Sequence, residues 1–222
     1  MTSTGNDIVE LKAIDIARTK QVKFYSKIIS SSEKGLFDRE VAGRLPFENF
    51  VWLLWSLKES AYKYLQRITP DLVFSPTRVI VEQLEFPTDI NLTKFERTNA
   101  EGCSFDEASV YKTSIVFGSQ KLYSRSIITE ELIFSVVNHQ ENFQNTCWGI
   151  KWIPSSETVE QSHQVRTFLI QKLNDLFPSD YLLIDKSPHG YPILLNGSEE
   201  MCIPISLAHH DHYIAYSFQP KD

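Results

Sequence analysis

The clearest hydrophobic pattern in the chain lies at residues 47–67, where Phe50, Leu54, Leu57, Ala61 and Leu65 recur every three or four positions. That spacing predicts a long helix with one apolar stripe turned inward; Glu59 and Lys63 share another face, and Pro70 ends it. Val165, Leu169, Leu173 and Leu176 predict a second helix over about 159–177. Residues 5–11 read as a short strand, with a helical stretch rich in basic residues after it. Two segments rich in Val, Ile, Phe, Tyr and Thr, 77–86 and 110–138, read as antiparallel strands with turns such as Gly118-Ser119 between them. The polar segment 87–109 reads as a loop. A new unit begins near His139, with a strand at 147–153, the second helix, and strands around 181–184, 192–195 and 213–218.

Both halves offer a strand, a long helix and then several strands, although no simple sequence repeat is visible. The expected fold is therefore α+β: two similar halves, 1–140 and 141–222, each an antiparallel sheet with a long helix, in a pseudo-twofold arrangement with a cleft between them.

Composition narrows the classes of function. With 222 residues and 42% hydrophobic content, the chain has ample material for a packed core. No run approaches the roughly 18 apolar residues of a membrane span. Residues 1–7 lack the basic and apolar regions of a secretory signal, so a cytoplasmic protein is expected. Cys103, Cys147 and Cys202 show no CxxC spacing and are odd in number, so they are expected to be reduced. A net charge of −6 argues against nucleic-acid binding. The local exception is 12–27, where Lys12, Arg18, Lys20, Lys23 and Lys27 face only Asp15; this is either a solvated helix face or a landing surface for an acidic partner.

His209-His210-Asp211-His212 carries metal-ligand residue types, but its spacing fits no zinc signature such as H-E-x-x-H. A metallohydrolase built on these histidines ranks last among the readings. Glu59 and Lys63 alone would be an ordinary surface pair at i, i+4, worth about a few tenths of a kcal/mol. Trp52 and Trp55, at helical spacing, are assigned to packing.

Three segments change that picture: Gly5-Asn6-Asp7-Ile8-Val9-Glu10-Leu11, Trp55-Ser56-Leu57-Lys58-Glu59-Ser60-Ala61-Tyr62-Lys63 and Ser206-Leu207-Ala208-His209. Together they resemble the 4'-phosphopantetheinyl transferase superfamily. The opening resembles the short holo-acyl-carrier-protein synthase class, and the helix motif resembles the larger surfactin-synthetase-activating class. Gly190-Tyr191-Pro192 is similar to the superfamily's G-K-P element, with Tyr191 in place of lysine; Ala208-His209 stands where the superfamily has S-H.

The resemblance implies a Mg²⁺-dependent transfer of phosphopantetheine from coenzyme A to a serine of an acidic acyl or peptidyl carrier protein, releasing 3',5'-ADP. Asp7 and Glu59 would hold Mg²⁺, because a hard cation takes carboxylate oxygens together with substrate phosphates. The larger class has a further acid where Val9 stands. Glu10, on the other side of the strand, is left out of the metal shell. Glu59 and Lys63 would be catalytic, with the serine proton passing to Glu59 or to a water on the metal. Lys58, Lys63, Gly190 and His209 would contact the coenzyme, His209 at the start of the last strand with His210 and His212 solvent-exposed. Arg166 and Thr167, in a segment similar to a coenzyme-binding helix, are either further contacts or plain helix-surface residues. The basic stretch 12–27 would dock the carrier. The motif order of the short class within a chain of this length implies a monomer with an internal site. A non-catalytic protein of the same fold that binds carrier or coenzyme is the alternative.

Overall fold

The computed structural model describes residues 3–88, 100–177 and 181–220. In chain order its strands are β1 (Gly5–Glu10), β2 (Ile80–Glu85), β3 (Ala100–Gly102), β4 (Tyr111–Phe117), β5 (Gln120–Ile128), β6 (Leu132–Asn138), β7 (Cys147–Trp152), β8 (Leu182–Lys186), β9 (Pro192–Asn196), β10 (Glu199–Glu200), β11 (Ile205–His210) and β12 (Tyr213–Phe218). Its α-helices are α1 (Ile16–Thr19), α2 (Val22–Tyr25), α3 (Ser31–Leu36), α4 (Phe47–Gln66) and α5 (Thr158–Leu176). All sheet pairings are antiparallel, and the fold is α+β. No helix among the described residues is long and apolar enough to cross a membrane.

The first sheet runs β1-β6-β5-β4-β2, the second runs β11-β12-β7-β3, and β10-β9-β8 forms a third. The apolar stripe of α4 packs on one face of the first sheet through Phe50, Leu54, Leu57, Ala61 and Leu65 against Val9, Ile133 and Val137. The opposite face of that sheet, carrying Ile8, Phe134 and Val136, packs on Ile150, Ala208 and Ala215 of the second. Beyond it α5 buries Val165, Phe168, Leu169 and Leu173 against Ile205, Ile214 and Tyr216. The order is helix, sheet, sheet, helix, and β1 lies at the centre, packed by α4 on one side and by β11 and β12 on the other.

In each half the strand that precedes the long helix pairs with the half's last strand, β1 with β6 and β7 with β12. The sheets differ, since five strands of the first half form one sheet while its β3 joins β7 in the second, and the strands of the second half are divided between two sheets.

Several expectations need correction. The helical stretch after β1 is broken into short pieces, a 3₁₀ turn at Leu11–Ala13 followed by α1 and α2. The loop expected at 87–109 contains β3, which pairs with β7; its residues 89–99 lie outside the described residues. Cys103 and Cys147 are joined in a disulfide, and only Cys202 is free. An odd count excludes complete pairing but not one bond, and the β3–β7 register, with Gly102 opposite Trp148, sets those two cysteines across from each other. Residues 206–209 belong to a strand of their own. Asp211, at φ 50°, takes a left-handed turn conformation open to Asp, and the chain folds back as the β11–β12 hairpin.

Candidate functional site

The site begins with a close approach between β1 and α4. A Cβ on Gly5 would lie 1.9 Å from the Ser60 carbonyl oxygen and 2.8 Å from the Tyr64 nitrogen, so only glycine lets strand and helix come this near. Ser60 ties the same turn of α4 to the neighbouring strand β6, its hydroxyl donating to the Ser56 carbonyl of its own helix and to the Ser135 carbonyl. Two residues along the strand, Asp7 emerges on the face turned to α4.

Lys63 Nζ reaches Asp7 Oδ1 at 3.2 Å, donates to the Asn6 carbonyl at 2.9 Å and lies 4.0 Å from Glu59 Oε2. The other Asp7 oxygen, Oδ2, is buried and has no hydrogen-bond partner among the described residues. An unmatched buried carboxylate oxygen is costly unless something fills its coordination. Burial, with the Asp7 charge second, pushes the Glu59 carboxyl above its usual pKa against the opposing pull of Lys63. Two crowded carboxylates and one ammonium therefore leave an excess of negative charge that a cation would relieve. Carboxylate oxygens of this kind suit a hard divalent ion such as Mg²⁺.

Beside these residues lies a pocket of about 210 Å³. One wall is α4 and its end, with Glu59, Tyr62, Lys63, Gln66 and Arg67; the other carries Gly190, Tyr191, Pro192 and the β11 residues Ile205, Ser206 and Leu207. Gly190, at φ 87°, makes a tight turn whose N–H donates to the Ser187 carbonyl. Ser206 bonds back to β1, its hydroxyl accepting from the Asn6 N–H at 3.0 Å. Residues far apart in the chain thus form one pocket.

Asp7, Glu59, Lys63 and Gly190 are gathered here. His209 is exposed nearby, where desolvation and then the Lys63 charge lower its pKa against the pull of Asp7; the Arg166 charge acts in the same direction as Lys63. Arg166 itself folds back on its helix and donates to the Ser162 carbonyl and hydroxyl, and Thr167 is exposed and donates to the His163 carbonyl. Neither lines the pocket.

Lys58 is a correction. It is wholly buried, donating to Glu33 Oε2 at 2.8 Å and to the Ile28 carbonyl at 2.7 Å. One residue before Glu59 on the helix it points into the core, where it braces α4 against α3, and it has no path to a phosphate. His210 and His212 are half-buried instead of solvent-exposed. His210 Nδ1 accepts from the Glu10 N–H, and the His212 N–H donates to Glu10 Oε2. Glu10 thus belongs to a clasp between β1 and the β11–β12 hairpin.

Of the basic stretch, Lys12, Arg18, Lys20, Lys23 and Lys27 are all exposed; Lys12 pairs with Glu131 and Lys20 with Glu48. Trp52 and Trp55 are half-buried against the first core, and the Trp52 indole donates to the Thr19 hydroxyl. Tyr62, Gln66 and Arg67 escaped the sequence reading. Their signal is the helical repeat itself: one more turn along the face of Glu59 and Lys63 leads to Gln66 and Arg67.

The superfamily model of 4'-phosphopantetheinyl transferases matches residues 3–111, a span that includes Asp7, Glu59 and Lys63. This part of the chain is a transferase domain. It belongs to the 4'-phosphopantetheinyl transferase superfamily. No curated protein and no solved structure matches the chain.

Proposed function

We propose that the protein transfers the 4'-phosphopantetheine arm of coenzyme A to a serine of an apo acyl or peptidyl carrier protein in a Mg²⁺-dependent reaction that releases 3',5'-ADP. The observation that carries this reading is the convergence of Asp7, Glu59 and Lys63 at the wall of a pocket closed on its far side by Gly190 and Ser206. Asp7 and Glu59 would hold the ion, whose chemistry is to neutralise charge on the pyrophosphate oxygens. Glu59, placed beside the ion, would also accept the proton of the attacking serine. Lys63 would set its ammonium group beside the leaving phosphate, where charge develops as the P–O bond breaks. The pocket beyond, between Tyr62 and Tyr191, would hold the nucleotide end of the coenzyme.

The same reading makes the exposed basic surface at 12–27 the docking face for an acidic carrier. One chain supplies both pocket walls, and on that ground we propose a monomer with two halves, 1–140 and 141–222, related by a pseudo-twofold axis. Tyr191 and Ala208 favour the alternative of a non-catalytic binder, because one cation and one hydroxyl are absent from the superfamily's pattern.

The test is incubation with coenzyme A, Mg²⁺ and a panel of apo carrier proteins, followed by mass spectrometry. A phosphopantetheine adduct on a carrier serine is the expected result. Tight coenzyme binding without an adduct on any carrier would establish the binder instead.

A further inference from the structure

Arg67 stands immediately after α4, one turn beyond Lys63, and lines the same pocket. Its guanidinium lies 4.8 Å from the Tyr191 ring centroid, and one terminal nitrogen, Nη2, donates to the backbone carbonyls of Pro192 and Ile205 on the far wall. These contacts hold the plane in place and use only part of its donor set. Nε and the other terminal nitrogen have no hydrogen-bond partner, and no carboxylate lies within ion-pair distance, among the described residues. Burial lowers its pKa to about 10, outweighing Tyr191 and Glu200, which favour the charged form. A half-buried cation with no counter-ion in reach and donors to spare is a ready partner for an incoming anion. The rigid fork of arginine donors suits the oxygens of a phosphate.

We propose that Arg67 is an anion-binding residue of this pocket and holds a phosphate of the nucleotide end of the substrate. The assignment rests on the coenzyme A reading above. It also answers the substitution at Gly190-Tyr191-Pro192, since Tyr191 brings no charge and its ring instead positions a cation supplied from the opposite half.

The experiment is titration calorimetry of wild-type protein and Arg67→Met with 3',5'-ADP, with adenosine as a phosphate-free control followed by ligand-observed NMR. The expected result is a loss of 3',5'-ADP affinity of about tenfold or more in the variant, as for a charge-assisted contact, with adenosine unaffected. A loss smaller than fivefold, or an equal loss for adenosine, overturns the role of Arg67 and leaves the coenzyme A reading standing. Wild-type protein that binds no 3',5'-ADP with or without Mg²⁺ overturns the coenzyme A reading, and the assignment with it. If Arg67→Met does not fold, phenylglyoxal labelling of wild-type protein, mapped by mass spectrometry, decides the matter. Protection of Arg67 by 3',5'-ADP supports the proposal, and unaltered labelling overturns it.

Discussion

Replacing Gly5 with alanine tests the geometry on which the site depends. The added Cβ would fall 1.9 Å from the Ser60 carbonyl oxygen, and that oxygen belongs to helix backbone, so no flexible side chain can yield. Ordinary contact begins near about 3.5 Å, so β1 and α4 must part by roughly 1.5 Å. Strain of this kind costs about 1–3 kcal/mol. The functional effect is of comparable size. Asp7 lies two residues along the displaced strand, and its 3.2 Å contact with Lys63 would stretch beyond hydrogen-bond range. A misplacement of about 1 Å can cost on the order of 100-fold in rate. Urea unfolding and carrier modification at saturating coenzyme A measure the two effects. A Gly5→Ala protein with unchanged stability and transfer within threefold of wild type would refute the close-approach argument.

Four further outcomes are expected. Because the folded state favours protonated Glu59, metal-free wild type should lose stability as pH rises through that raised pKa, so Glu59→Gln should melt higher than wild type at pH 8 in EDTA and equally at about pH 4; a variant that melts lower at both refutes the crowding of the carboxylates. Lys58→Met removes the cation that partners the buried Glu33 carboxyl and should cost about 3–5 kcal/mol in urea unfolding, and a loss below about 1 kcal/mol refutes the bracing role. Reversing Lys20 and Lys23 to Glu should raise the KM for carrier and leave coenzyme affinity unaltered, an effect high salt should mimic; an unchanged KM at low ionic strength removes the docking surface. Asp7→Ala and His209→Ala proteins, co-expressed, should remain inactive together, whereas substantial recovery of transfer would show a site shared between chains.

Much of this arrangement is legible in the sequence because its causes are local. The stripe from Phe50 to Leu65 needs only helical periodicity to be read, and it emerges as the buried face of α4. Glu59 and Lys63 follow as a pair one turn apart on the same helix. Lys58 could not be read this way, because its place is decided by Glu33 and the Ile28 carbonyl, 25 and 30 residues away. Arg67 is similar: its helical position is predictable, but the carbonyls of Pro192 and Ile205 that fix it are set by tertiary packing. The disulfide depends on a pairing between β3 and β7 that no cysteine spacing reveals. The β11–β12 hairpin was concealed by its turn, where Asp211 takes a conformation more readily signalled by glycine.

The central place of β1 bears on how the chain is made. The hydroxyls of Thr4 and Ser217 share a hydrogen bond, the Asn6 N–H donates to Ser206, and the Glu10 N–H donates to His210, across separations of 213, 200 and 200 residues. At about 5–20 residues per second, a ribosome needs roughly 10–40 s between one side of these contacts and the other. During that interval α4 and the first sheet can form, but the face carrying Ile8, Phe134 and Val136 is left without its cover. The nascent chain thus presents a sticky sheet surface until residues 205–218 emerge, so the β11–β12 hairpin both completes the pocket and covers that aggregation-prone face.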